Sequence, residues 1–349
     1  MTAGSGAGSR VSAIVVVSFE SPPTVVTAIE RLLEQSHPPS QVLVVDNHPD
    51  RPVSAAVEAR GFGDGVRTVA APENLGYPRA VNLGAAEATG DWLFMVNPDA
   101  RVEPECLARL VEATQPDGTA IVGAQVLLPD GRVNAGDNPM TLAGVSWSGG
   151  YGGTREQGPP RDTAGVSGAA LMARRDVFSD LGGLCPHFFL YQDDADLCWR
   201  AWLAGWRVRY CPEAAVTHDF EFQRGPQKWF HLERNRGWVV LSNYSLVTLI
   251  LVAPVLLAAE LAVTARAVRE GWLGAKARAV ASLATSVRDI RRWRASVQAT
   301  RRVPDSELIE RFRGGVETEL IDSAMLPLVN PLLEAYRRMV LRLLRLCGR

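Results

Sequence analysis

Three clusters of side chains in this chain have the types and spacing to do chemistry. The densest is Tyr191-Gln-Asp-Asp-Ala-Asp-Leu-Cys-Trp-Arg200, with three carboxylates in four residues before an apolar stretch. Asp193 and Asp196 have capping-box spacing, and Asp196 reaches Arg200 one helical turn on, so both have structural uses. Asp194 is left over. A carboxylate facing a hydroxyl is the usual general base for attack at a carbon centre, which makes Asp194 the candidate base and Asp193 its neighbour in reserve. The bland alternative is an acidic helix start that only complements the helix dipole. A second cluster is Asn97-Pro98-Asp99. One carboxylate there could hold Mg²⁺ or Mn²⁺ if a diphosphate and water complete the shell, or it could be an ordinary Asn-Pro-Asp turn. His218, in Val216-Thr-His-Asp219, could join that metal or touch phosphate, although a lone loop histidine more often faces solvent.

The third cluster is Asp46-Asn47 with Asn74-Leu-Gly-Tyr-Pro-Arg-Ala-Val-Asn82. A strand-end Asp accepts from a ribose hydroxyl or a base imide, and a glycine turn lets backbone approach a nucleotide. Asp46 could equally be a turn or N-cap residue. Trp199, Trp202 and Trp206 fall at helical spacing and read as core, with sugar stacking as the alternative.

The elements that must position these groups alternate β and α, the pattern of a mostly parallel sheet covered by helices. Strands are expected at 11–19, 41–46, 66–70 and 91–96, and helices at 24–35, 53–60 and 79–88. Ligands of such sheets sit beyond the strand carboxyl ends, so Phe19, Asp46 and Asp99 should converge on one crevice. Residues 128–164 are rich in Gly, Pro, Asp and Asn and read as an irregular excursion, a candidate acceptor-side loop or lid. A strand over 165–173, a short helix over 175–181, a helix over 193–204 ending at Gly205 and a strand over 206–210 follow, leaving His218 in a loop.

Composition bounds the function classes. With 47% hydrophobic and 21% charged residues, the chain reads as globular rather than disordered. Five cysteines, an odd set without CxxC, argue against a disulfide framework or zinc site and for a reducing, cytoplasmic setting. Residues 1–10 read as a disordered tail, and the strand-like run of about seven residues that follows is too short and wrongly flanked for a signal peptide. Net charge splits sharply: residues 1–223 sum to −11 and 224–349 to +10. The basic part includes an uncharged run over 237–259, with Lys228, Arg234 and Arg236 before it and Arg266, Arg269, Lys276 and Arg278 after. This combination points to an anionic membrane surface rather than nucleic acid. A helical hairpin dipping into one leaflet, bent at Pro254, is expected; a bilayer span and a soluble core helix are the alternatives.

Taken together, the opening strand Ile14-Val-Val-Val-Ser-Phe19, Asp46-Asn47, the 74–82 element, Asn97-Pro-Asp99, Ser167-Gly-Ala169, Asp193-Asp-Ala-Asp196-Leu with Arg200, and His218 resemble the family 2 glycosyltransferases of GT-A fold. The likeness is strongest to bacterial rhamnosyltransferase-like and galactofuranosyltransferase-like members, and departs from them at Glu20, His48-Pro49, Pro78 and Asp193. It implies an α/β GT-A domain over 11–223 followed by a helical, membrane-associating region over 224–349. Asp46 would bind the nucleotide, with Phe19, Asn47, Asn74, Arg79 and Asn97 as further donor-binding candidates. Asp99 would hold the metal, His218 the metal or the diphosphate, and Asp194 the acceptor hydroxyl. The implied reaction is inverting transfer from a nucleoside-diphosphate sugar to a glycan or polyprenyl-linked acceptor at the cytoplasmic face of the membrane. The donor is expected to be dTDP-rhamnose, with UDP-galactofuranose second. A catalytically inactive nucleotide-binding scaffold is the alternative of a different class.

Overall fold

The computed structural model describes residues 9–50, 52–115, 117–218, 225–317 and 326–346. The expected tail lies outside them up to residue 8, as do Asp219, Arg224, Cys347 and the charge boundary at 223.

The first half runs β1 (Val11–Val17), α1 (Pro22–Leu33), β2 (Gln41–Asp46), α2 (Ser54–Arg60), β3 (Val66–Ala70), α3 (Tyr77–Ala86), β4 (Trp92–Val96), β5 (Ala100–Val102), α4 (Cys106–Glu112) and β6 (Thr119–Leu127). Then come β7 (Val133–Ala135), β8 (Arg161–Asp162), β9 (Ala170–Arg174), α5 (Arg175–Asp180), α6 (Asp193–Leu203) and β10 (Arg207–His218). One sheet results, ordered β3-β2-β1-β4-β9-β6-β10-β5, with β7 beside β6 and β8 beside β10. β1 to β4 pair in parallel, β9 runs antiparallel between β4 and β6, and β5 returns antiparallel on β10. This is the mixed α/β GT-A architecture that the sequence implies.

Side chains alternate across the sheet, as strand geometry requires. Ile14 and Val16 enter a core shared with α3 and α6, while Val11, Ala13, Val15 and Val17 enter a second core with α1, α2 and α4. Both faces are covered, so β1, β2 and β4 are buried along their whole length. The excursion over 128–164 is irregular but fastened. Gln125 donates to Glu156 O and Pro212 O and accepts from Glu156 N, and Met140 and Leu142 are core residues.

The C-terminal part comprises α7 (Pro226–Asn243), α8 (Leu246–Arg269), α9 (Leu273–Thr285), α10 (Val287–Thr300), α11 (Asp305–Ile309) and α12 (Leu326–Leu346). Here the structure corrects three expectations. The uncharged run 237–259 is two different things: Trp238, Val239, Val240, Ser242 and Asn243 of α7 are buried, whereas α8 is largely exposed. The chain breaks at Tyr244-Ser245, not at Pro254. Ser245 caps α8 by accepting from Thr248 N at 3.2 Å, and α8 runs unbroken through the proline. The basic flanks do not all point outward either. Lys228, Arg236 and Lys276 are buried; Arg236 and Lys276 both pair with Glu233 and Glu260, an electroneutral quartet joining α7, α8 and α9. Buried cations need such partners, and carboxylates on neighbouring helices supply them.

Candidate active site

The side expected to bind the donor is knitted by one amide. Asn47, fully buried at the end of β2, donates from its backbone to Val17 O (2.8 Å) and from Nδ2 to Ser18 Oγ and Asn74 Oδ1 (3.2 Å each). Its Oδ1 accepts from Leu75 N at 2.9 Å, so the ends of β1 and β2 and the turn before α3 form one unit. Beside it Asp46 spends Oδ2 on Val53 N (2.8 Å), while its buried Oδ1 has no protein partner. A buried carboxylate oxygen left bare costs free energy that a ligand donor would recover. Phe19 stands 78% exposed at the rim. The backbone around it is held by Glu20, whose carboxylate accepts from Ser18 N and Phe19 N. Arg79, half-exposed in the first turn of α3, lies 3.8 Å from Glu73.

The second group forms where β4 ends. Asn97 N donates to Ala169 O (3.0 Å) and Ala100 N to Asn97 O (3.1 Å), a tight turn that carries Asp99. β5 pairs antiparallel with the end of β10 in a register that sets His218 opposite Ala100. His218 is therefore a buried strand residue, not a loop residue, and its Nε2 lies 3.0 Å from Asp99 Oδ1 and 3.3 Å from Asn97 Nδ2. One nitrogen cannot donate to Asp99 and accept from Asn97 at once, so its lone pair and its proton compete for the same place. Burial pushes the Asp99 carboxyl up, but the hydrogen bond and charge of His218 outweigh it and hold Asp99 below its ordinary range. Among the described residues no group of three or more His, Cys, Asp or Glu side chains is arranged to hold a metal, so this pair would need substrate oxygens to complete a shell.

The acidic cluster opens α6. The residue before the helix is Gln192, in left-handed conformation with φ 66°, so the expected capping box between Asp193 and Asp196 does not form. Asp193 is already the first helical residue. Asp196 does pair with Arg200 at 2.8 Å, fully buried, and also accepts from Asn243 Nδ2. Asp194 turns the other way. Its Oδ2 accepts from Gly168 N (2.8 Å) and its Oδ1 from Ala195 N (2.7 Å). Burial raises both Asp193 and Asp194, and the charge of Asp194 lifts Asp193 further, to about 8. The two N–H bonds to Asp194 oppose its rise, so a proton shared by this pair resides on Asp193 and leaves Asp194 as the carboxylate.

The segment 167–169 joins the groups. Gly168 binds Asp194 through its N–H and accepts from Tyr77 Oη at 3.3 Å, while Ala169 O holds the Asn97 turn beside Asp99. From the donor side, Gly76 at φ +73° lets Tyr77 N reach Phe189 O, where a Cβ would sit 2.6 Å from that oxygen. Tyr77 is the residue that sequence analysis passed over: partly buried, with its phenol pushed up by desolvation and then by the charges of Asp193 and Asp194. Its place in the 74–82 motif was the available signal.

The family described as Glycosyl transferase family 2 matches residues 13–182. The chain is 28% identical over 265 residues to the N-acetylglucosaminyl-diphospho-decaprenol L-rhamnosyltransferase of Mycobacterium tuberculosis, covering 64% of this chain and 85% of that protein. It is 28% identical over 218 residues to the O-antigen biosynthesis protein RfbC of Myxococcus xanthus, of which it spans 17%. In fold it is similar to a mannosyltransferase from Pyrobaculum calidifontis solved with GDP-Man and Mn²⁺ (TM-score 0.51, 18% identity, 84% of this chain and 86% of that one). It is also similar to GalNAc-T7 solved with UDP, GalNAc and Mn²⁺ (TM-score 0.56, 14% identity, 67% and 48%).

Proposed function

The chain belongs to glycosyl transferase family 2 over residues 13–182, and from that premise we propose that it moves L-rhamnose from dTDP-rhamnose to a hydroxyl of a lipid-linked cell-envelope glycan, inverting the anomeric configuration. The observation that carries this reading is the junction at Gly168, which brings the Asp194 carboxylate and the Asp99–His218 pair onto one short segment. The likeness to a rhamnosyltransferase named for a diphospho-decaprenol acceptor supports the sugar and the lipid.

Asp194 receives the proton of the acceptor hydroxyl; each of its oxygens keeps a second lone pair beyond its N–H bond. Asp46 Oδ1 accepts from the nucleobase or ribose, and the Asn47–Asn74 lattice keeps that crevice in shape. Asp99 and His218, 3.0 Å apart, are the residues that would hold a divalent cation, with substrate oxygens and water completing its shell. Bound there, Mg²⁺ or Mn²⁺ would neutralise the diphosphate leaving group.

We place the enzyme on the cytoplasmic membrane surface. Among the described residues α8 is the one helix long and apolar enough to cross a membrane. Its outer stripe, Leu246, Ile250, Leu257, Leu261 and Val268, is exposed. Its inner face is pinned: Thr248 to Asp305, Leu251 O to Tyr336 Oη, and Glu260 to Arg236 and Lys276. Those ties favour a helix lying on one leaflet over a span. On this reading residues 11–223 are the catalytic unit and 224–349 the membrane-facing one.

A thermal-shift screen of nucleotide sugars with Mn²⁺ tests the assignment: dTDP-rhamnose should raise the transition temperature most. A larger shift with UDP-galactofuranose would reassign the sugar. Asp194→Asn should lose transfer by about 10²–10⁴-fold with donor binding kept, and Asp99→Ala should lose metal-dependent donor binding. Full transfer by Asp194→Asn would remove it as the base.

A further inference from the structure

Tyr191 and Gln192 are the two non-glycine residues with positive φ among the described residues, at 69° and 66°. Left-handed backbone is strained for ordinary residues, so it persists only where surrounding contacts impose it. Those contacts come from α7. Nδ2 of Asn235 donates to Leu190 O and Tyr191 O, both at 2.9 Å, and Asn235 is fully buried. Its amide orientation is set by Arg234, whose Nη1 donates to Asn235 Oδ1 (2.9 Å) and to His187 O (2.8 Å). A guanidinium only donates, so the amide oxygen must face it and both N–H bonds are free for the two carbonyls. Asp193 and Asp194 begin the helix two residues after the second of those carbonyls.

We propose that Asn235 is a positioning residue for the transfer reaction: its amide clamps the 190–191 carbonyls, forces the left-handed pair, and so sets where α6 starts and where the Asp194 carboxylate points. This rests on Asp194 acting as the base. Asn235 itself touches no reacting atom.

Asn235→Asp keeps the shape and replaces the donor with an acceptor; Asn235→Ala removes both bonds. With dTDP-rhamnose and N-acetylglucosaminyl-diphosphopolyprenol as probes, both variants should lose kcat by about 100-fold, the effect of a misplacement near 1 Å, while donor KM stays within about threefold. In Asn235→Ala, which adds no charge, the acidic limb of the kcat profile should move to lower pH, because loosening the helix start lets water reach carboxyls that burial now raises. Amide exchange at residues 193–197 should quicken. Folded variants with unchanged kcat overturn the proposal, and so does a fall in kcat with an unmoved pH limb and unchanged exchange, which marks a plain structural residue. Should neither variant fold, Arg234→Leu, at a half-buried site, is expected to lower kcat in the same way by freeing the amide to turn; unchanged kcat there overturns the proposal. Asp194→Asn run alongside separates the two ideas. If it keeps transfer, the base assignment fails; if it is dead while Asn235→Ala is fully active, only the clamp fails. If the wild type does not use these probes, the exchange rates at 193–197 still decide the clamp.

Discussion

Adjacent aspartates at the start of α6 meet different surroundings. Asp194 faces two N–H donors, whereas Asp193 meets burial and its neighbour's charge, which raise it to about 8. An acid with a raised native pKa binds its proton more tightly folded than unfolded, so it costs no stability below the unfolded value near 4. The cost then grows as pH rises toward 8. Asp193→Asn should therefore raise the transition temperature by about 3–6 °C at pH 8 and by less at pH 5, read by calorimetry across pH. An equal gain at both pH values would mean that Asp193 ionises normally. At this scale the sequence was informative where geometry is local: the four-residue spacing correctly separated Asp196, tied to Arg200, from Asp194. It misled where backbone conformation is imposed from afar. The capping box fails because Gln192 is held left-handed by Asn235, more than forty residues downstream, and no local pattern encodes that.

Elements follow the same division. β1 to β4 and their helices were legible because apolar runs and amphipathic stretches alternate with clear turn residues between them. β6, Thr119–Leu127, was not assigned; covered on both faces, it has no alternation for a pattern to catch. β10 extends to His218 only because β6 and β5 pair with it, so its full length is a tertiary fact. Pro254 is the instructive case. A proline in an apolar run reads as a bend, yet capping at Ser245 and the ties along the inner face of α8 carry the helix through it. Such a proline forfeits a hydrogen bond and crowds the preceding turn. Pro254→Ala should thus stabilise the protein, by about 1–3 kcal/mol in denaturant unfolding, with activity on lipid acceptors retained. A hairpin bent at Pro254 demands the reverse, loss of both membrane binding and lipid-acceptor activity.

For the molecule as a whole, the apolar cluster that includes Ile14 and Leu43 of the sheet continues into Trp238 of α7, Val252 of α8 and Val340 of α12. The α8 surface that we propose binds lipid is therefore connected by close packing to the acidic helix start. Ile250 and Leu257, 74% and 62% exposed, are the residues to charge. Ile250→Glu with Leu257→Glu should abolish flotation with vesicles of anionic phospholipid and lower turnover of a polyprenyl-linked acceptor at least tenfold, while a short water-soluble acceptor analogue is used as well as by the wild type. Flotation unchanged by both substitutions would remove α8 as the contact.

The Asp99–His218 contact has one more consequence, for durability. The two residues are 119 positions apart, and β5, only three residues long, sits at the sheet margin with β10 as its neighbour. A cation held by both would act as a rivet between positions a third of the chain apart, stabilising the folded state because the unfolded chain cannot hold it. Mn²⁺ with dTDP should then slow thermolysin digestion of the whole catalytic unit, and the protection should vanish in His218→Ala even where that variant resists the protease as well as the metal-free wild type.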